Sequence, residues 1–365
     1  MSTVKGLRAG VTAGILAGVA LMTGPFSARV SAQTQFSTEV PGSILIFPKV
    51  VNTTPDTIIQ VTNTSNSQVY AHCFYVDGRS VNGQPLWTVT DFELALTRQQ
   101  PTHWSARDGR AVNPFDGTQG LDPGLVPPVS QGFSGFLVCV ETLSDGTPVN
   151  SNALKGEATV GVIEGPGGLN QVSKYNAIMI PGLQPDPMSC PGCGNNGDDI
   201  LKLDGVEYAA CPRDLLMNFQ AEGSSDPAID GVFNAPSIVS SNLTLVPCGM
   251  DFQNLIPSST SLAVSIRNEF EINSSTSSAI PVDCWFSGSL GQTVPFGGSF
   301  DVGTLQSDFG TSILSPQAPS DLPGLGVINV LRTAGDGTSD TAASNLFWPA
   351  GGATVDSEIR LPGVP

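Results

Sequence analysis

Residues 57–75, TIIQVTNTSNSQVYAHCFY, constrain this chain more than any other stretch. Two alternating apolar runs flank the polar link at residues 63–67, the pattern of an antiparallel hairpin with one buried face. The pattern returns at residues 262–286, LAVSIRNEFEINSSTSSAIPVDCWF. Ile59, Val61 and Asn63 correspond there to Val264, Ile266 and Asn268. Val69, Ala71, Cys73 and Tyr75 correspond to Ile280, Val282, Cys284 and Phe286. The second copy is six residues longer between the matched blocks, in the polar turn, where an insertion meets few buried contacts.

Flanking blocks keep the same order. Ile44-Leu45-Ile46-Phe47-Pro48 precedes the first hairpin as Leu243-Thr244-Leu245-Val246-Pro247 precedes the second. An apolar run from Gly135 leads to Asp145-Gly146-Thr147, and one from Gly324 leads to Asp336-Gly337-Thr338. Short runs of this kind, punctuated by 41 glycines and 29 prolines, read as all-β. The expected fold is two tandem immunoglobulin-like β-sandwich domains after a cleaved signal peptide. The leader covers residues 1–32. The first sandwich covers 36–225, with a long excursion at 77–130 and a Cys-rich loop at 184–199, and the second covers 236–363.

Lys5 and Arg8 precede a short apolar stretch of small and branched residues, and Val30-Ser31-Ala32 offers a cleavage site. That run is too short to span a bilayer, and no later segment approaches the required ~20 apolar residues. A secreted location, extracellular or periplasmic, without membrane insertion, is expected. The full chain carries a formal net charge of −17, and loss of the leader removes three further cations. So acidic a surface repels a phosphate backbone, which excludes nucleic acid as a partner. An extracellular protein or a glycan is the expected kind of partner.

The seven cysteines all follow the leader, and an odd number leaves at least one thiol unpaired. Strand phase favours Cys73–Cys139, at a separation resembling the inter-sheet bridge of immunoglobulin-like domains. Cys248 is the expected mate of Cys284. Cys190 and Cys193 form a CxxC without the following His that haem attachment needs. With Cys211 they supply only three of four zinc ligands, so a structural disulfide involving this group is expected.

Catalytic patterns are sparse. There is no G-x-S-x-G elbow and no H-E-x-x-H, and the only histidines are His72 and His103. On a strand, His72 points away from Cys73. No catalytic residue is assigned and no cofactor is expected. A weak Ca²⁺ candidate remains in Asn195, Asp198 and Asp199, whose hard oxygens suit that ion without completing its loop pattern. Trp87, His103, Trp104 and Phe115 lie in the long excursion and form the candidate binding set.

Three segments carry a resemblance: Gly42-Ser43-Ile44-Leu45-Ile46-Phe47-Pro48-Lys49, Tyr70-Ala71-His72-Cys73-Phe74 and Leu96-Thr97-Arg98-Gln99-Gln100-Pro101. Through them the chain resembles exported β-sandwich proteins of environmental bacteria with no assigned function, a likeness that supplies no site residues. The expected role is a secreted non-enzymatic structural or adhesion-type protein. The alternatives are an extracellular ligand-binding module, for a glycan or protein with Ca²⁺ as an optional aid, and a secreted carboxylate-based hydrolase.

Overall fold

The densest apolar runs in the chain are continuous rather than alternating. Ile44–Val51 reads ILIFPKVV and Ser134–Thr142 reads SGFLVCVET. Such runs suit strands covered on both faces, and that burial sets the architecture. The computed structural model describes residues 35–112, 122–163, 169–183, 199–225, 237–292, 294–334 and 339–363. The expected leader, Phe115, Cys190, Cys193, Asn195 and Asp198 lie outside the described residues.

The protein is all-β, with 58% strand. Among the described residues, no helix is long and apolar enough to cross a membrane. The first sheet aligns β11 (Ile178–Ile180), β1 (Ile44–Val51), β8 (Ser134–Thr142), β3 (Val69–Asp77) and β6 (Thr88–Leu96). The second aligns β10 (Leu169–Asn176), β9 (Leu154–Ile163), β2 (Asp56–Asn63) and β7 (Pro101–Ser105). The third is small: β12 (Ile200–Leu203), β24 (Ser357–Arg360) and β16 (Met250–Asp251), the last two parallel.

The fourth sheet aligns β14 (Leu215–Gln220), β20 (Phe309–Pro316), β17 (Ser259–Asn268) and β18 (Asn273–Asp283). The fifth aligns β19 (Phe286–Ser289), β15 (Ser237–Pro247), β21 (Gly324–Ala334) and β22 (Ser339–Asn345). Among the described residues there are also two ribbons, β13 (Cys211–Pro212) with β23 (Thr354–Val355) and β4 (Ser80–Val81) with β5 (Gln84–Pro85).

These sheets do not make two tandem immunoglobulin-like sandwiches. They are arranged as a five-bladed β-propeller of small sheets, within one compact unit spanning Gln33–Pro365. The physical reason lies in the first sheet, which is apolar on both faces. On one face, Leu45, Phe47, Ala71 and Leu137 pack with Ile59, Val61 and Val160 of the second sheet. On the other, Ile44, Ile46, Phe74 and Val138 pack with Leu201, Leu203, Met250 and Ile359 of the third. The fourth and fifth sheets share a separate core around Met217, Val264, Ile266, Leu245 and Ile328. A free-standing sandwich would leave the first sheet's outer face in water. Here segments from the middle and the end of the chain cover it.

The expected hairpin at residues 57–75 does not form either. β2 pairs with β7 and β9, whereas β3 pairs with β6 and β8, so the polar link crosses between sheets. Residues 262–286 do form one, with Leu262 opposite Ile280. Of the matched blocks, β1 and β15 each pair with the strand expected to correspond, β8 and β21 respectively. Cys73 and Cys284 differ in place. Cys73 sits mid-strand in β3, while Cys284 has φ 60° at the point where the chain leaves the fourth sheet for the fifth.

Cys73 and Cys139 are bonded, but directly opposite each other on neighbouring strands, with a Cα–Cα distance of 4.0 Å. The bridge therefore lies within one sheet rather than between two. The expected Cys248–Cys284 pair is replaced by Cys211–Cys248, which leaves Cys284 free and buried. β13 delivers Cys211 into the same apolar core as Cys248, and burial pushes the Cys284 thiol up to about 12, where it is inert.

The link that crosses sheets depends on Asn63, a fully buried residue at the end of β2. Its Nδ2 donates to the carbonyls of Ser67, Leu96 and Thr97, and its Oδ1 accepts from the Ser65 N–H at 2.8 Å. Asn268 does the same at the end of β17, binding the Leu305 carbonyl and the N–H groups of Phe270 and Ile272. Removing either carboxamide orphans buried backbone groups. Asn63→Ala is expected to destabilise the protein by about 2–3 kcal/mol, against less than about 0.5 for exposed Asn66→Ala. Urea denaturation of the two variants checks this, and equal midpoints would contradict the role given to Asn63.

Candidate functional site

Where the second sheet meets the fifth, the contact is polar. The Asn329 Nδ2 donates to Ser173 Oγ at 3.0 Å, and Gln171 Nε2 donates to Ser339 Oγ at 2.6 Å. Asn345 exchanges two hydrogen bonds with the backbone of Asn176. Amides and hydroxyls fill this junction less completely than interdigitated aliphatic chains would. A cleft of about 360 Å³ remains, lined by Val51, Val160, Val162, Val330 and Leu331 together with Lys49, Ser173 and Thr341.

Lys49 reaches this cleft because of Pro48. Proline has no N–H for the ladder, and the β1–β8 register shifts between Phe47 and Val50. Aromatic side chains satisfy the backbone groups set loose by that irregularity. Tyr175, itself buried, donates its hydroxyl to the Lys49 carbonyl and accepts from the Lys49 N–H at 3.2 Å. Trp285 Nε1 donates to the Pro48 carbonyl at 2.9 Å.

The Lys49 ammonium donates to Asn242 Oδ1 at 2.9 Å and to Asn329 Oδ1 at 3.0 Å. Those two asparagines lie opposite each other in the β15–β21 register, so their carboxamide oxygens converge. Ser287 Oγ also donates to Asn242 Oδ1, at 2.9 Å, which with the Ser173 contact to Asn329 fixes both amide orientations. Both acceptors are neutral. Desolvation is the cause that lowers the Lys49 pKa, to about 8. In the same lining, the Thr341 hydroxyl is buried without a hydrogen-bond partner.

Of the expected binding residues, the three described, Trp87, His103 and Trp104, lie in separate places. Trp87 stacks on Phe252 in the core between the first and third sheets, while Trp104 is buried in the core between the first and second. Trp104 Nε1 donates to the Tyr75 hydroxyl. His103 is exposed on β7, opposite Gln60. His72 pairs at the surface with Asp91 at 3.0 Å. Asp199 accepts the Leu361 N–H through its backbone, and among the described residues no three metal-ligating side chains converge.

Among the described residues, the carboxyls of Glu141 and Glu222 have pKa values raised chiefly by burial. Ser151 and the Ala153 N–H hold Glu141 in the first sheet, and the Ser241 N–H holds Glu222 beside the fifth. Glu141 lies on β8 and Glu222 in the segment that follows β14, and the two form no acid–base pair with each other. Lys49 itself escaped the sequence reading. Its one signal was a lone cation inside the apolar run ILIFPKVV.

No protein-family model matches this chain, and no curated protein does. Among solved structures, a crystal structure of Thermotoga maritima 1070 aligns over 38% of this chain and 95% of its own, at 7% identity and a TM-score of 0.24. The red sea bream transglutaminase aligns over 85% of this chain and 32% of its own, at 7% identity and a TM-score of 0.15. Both scores are too low to carry an argument about fold or function.

Burial disfavours the ammonium form of Lys49, so its cost is present in full below the folded pKa of about 8. That cost fades as pH rises towards the ordinary value of 10.5, because the unfolded chain then binds more protons than the folded one. Wild type is expected to gain about 1–2 kcal/mol relative to Lys49→Met across that window, after discounting for partial exposure. Urea midpoints of both proteins over the same pH range test this; a constant difference rules it out.

Proposed function

We propose that this is an exported, non-enzymatic binding protein that holds a small ligand in the cleft between the second and fifth sheets. One observation carries the reading. An ammonium without a counter-charge and an unpartnered hydroxyl line the same amphipathic cavity. Buried polar groups are normally satisfied, and those left open in a cavity of this size are the usual mark of a ligand site. The charged leader with its apolar run, together with the Cys73–Cys139 and Cys211–Cys248 bonds, supports export to an oxidising compartment. The buried carboxyls Glu141 and Glu222, on different elements and each held by its own hydrogen-bond donors, favour binding over carboxylate-based hydrolysis.

A structural or adhesion-type role has its own support. Phe270 and Ile272 stand 66% and 62% exposed at the turn between β17 and β18, beside exposed Phe309. Loss of surface retention in Phe270→Ser would favour it.

The binding reading is tested by thermal melts against small amphipathic fragments of about a dozen non-hydrogen atoms. Binders are expected to raise the wild-type Tm by roughly 3 °C or more near saturation. The gain should vanish in Val330→Trp, which fills the cleft. Fragments that stabilise both proteins equally would place their binding elsewhere and defeat the proposal.

A further inference from the structure

We infer that the ligand of this cleft is a small organic acid whose carboxylate sits on the Lys49 ammonium; this rests on the reading of the cleft as a ligand site. An ammonium has three N–H donors. Two go to Asn242 and Asn329, whose oxygens are turned towards Lys49 by Ser287 and Ser173. The third is left for whatever enters the cavity. Neutral acceptors do not cancel the lysine's charge, and a half-buried cation without an anion is a costly arrangement. An entering anion would remove that cost and form a charge-assisted hydrogen bond.

The rest of the lining narrows the chemistry. One cation with one remaining N–H suits a monoanion, whereas a phosphate dianion calls for several donors. Val162, Val330 and Leu331 offer no hydrogen bonds, so a purely inorganic ion would lose hydration along them without compensation. An apolar body attached to the carboxylate would instead bury surface there. At roughly 30 Å³ for each water-sized group, the cavity takes about a dozen non-hydrogen atoms. That size excludes an oligosaccharide and admits a simple aromatic or branched acid.

Benzoate, benzamide and benzylamine test this, since they share shape and differ in charge. Titration of the full chain by calorimetry or NMR at neutral pH is expected to show saturable benzoate binding. Benzoate should bind at least about tenfold more tightly than benzamide, with no detectable benzylamine binding. Lys49→Met should lose that tenfold advantage of benzoate over benzamide. The wild-type comparison stands even if a variant folds poorly. Equal binding of benzoate and benzamide, or full benzoate affinity in Lys49→Met, overturns the carboxylate inference while the ligand cleft survives. Failure of all three probes to saturate at tens of millimolar overturns both.

Discussion

Burial of the first sheet on both faces is the constraint from which the rest of the architecture follows. Ile44, Ile46, Phe74, Phe136, Val138 and Ile178 form its outer face and are almost wholly buried. Leaving such side chains in water would forgo about 1.5–3 kcal/mol each, together comparable to the whole net stability of a typical protein. The third sheet is what prevents this. Its strands come from positions 200–203, 250–251 and 357–360, so three distant parts of the chain combine to cover the first sheet. β14, which precedes residue 225, is likewise committed to the fourth sheet beside β20.

Where the first sheet meets its neighbours, packing is apolar and dense; where the second meets the fifth, it is amide and hydroxyl. A neutral hydrogen bond contributes roughly 0.5–1.5 kcal/mol net and holds two groups at a set distance without filling the space around them. The cleft is a consequence of that choice. Pro48 then determines what enters it, because the ladder interruption turns Lys49 out of the first sheet's alternation. Tyr175 and Trp285 make the interruption tolerable by occupying the freed backbone groups. Such a bulge, held from both sides, is a fixed feature of the fold.

Strand content and the Cys73–Cys139 bond were legible because both depend on local alternation and phase. Val264 and Ile266 are buried as that phase requires. Pairing was not legible, since alternation says which face is buried and not which strand lies beside it. Residues 63–67 read as a turn, yet Asn63 reaches Leu96 and Thr97, and the link becomes a crossing. The continuous runs in β1 and β8 were the available sign that a second cover existed. Cys211 seemed to belong with Cys190 and Cys193 by proximity in sequence, whereas the core it enters is set by the distant contacts of β13 with β23. The cleft residues come from β1, β9, β10, β15, β19, β21 and β22, so no single stretch could announce it.

A chain with a net charge of −17 is a poor host for an anion at long range, and this bears on how the Lys49 site has to work. Surface carboxylates act through solvent, where salt at physiological strength screens them beyond about 8 Å. Lys49 acts across a short, partly desolvated gap, where the same unit charge is several-fold stronger. The distant field therefore slows approach and discourages loose binding at the surface, while the local cation decides what remains in the cleft. The pairing of Lys49 with carboxamides matters for the same reason. Two carboxylates in place of Asn242 and Asn329 would neutralise the lysine and fill the cleft with the charge that covers the rest of the molecule. Neutral oxygens hold the ammonium in place and leave its charge uncancelled.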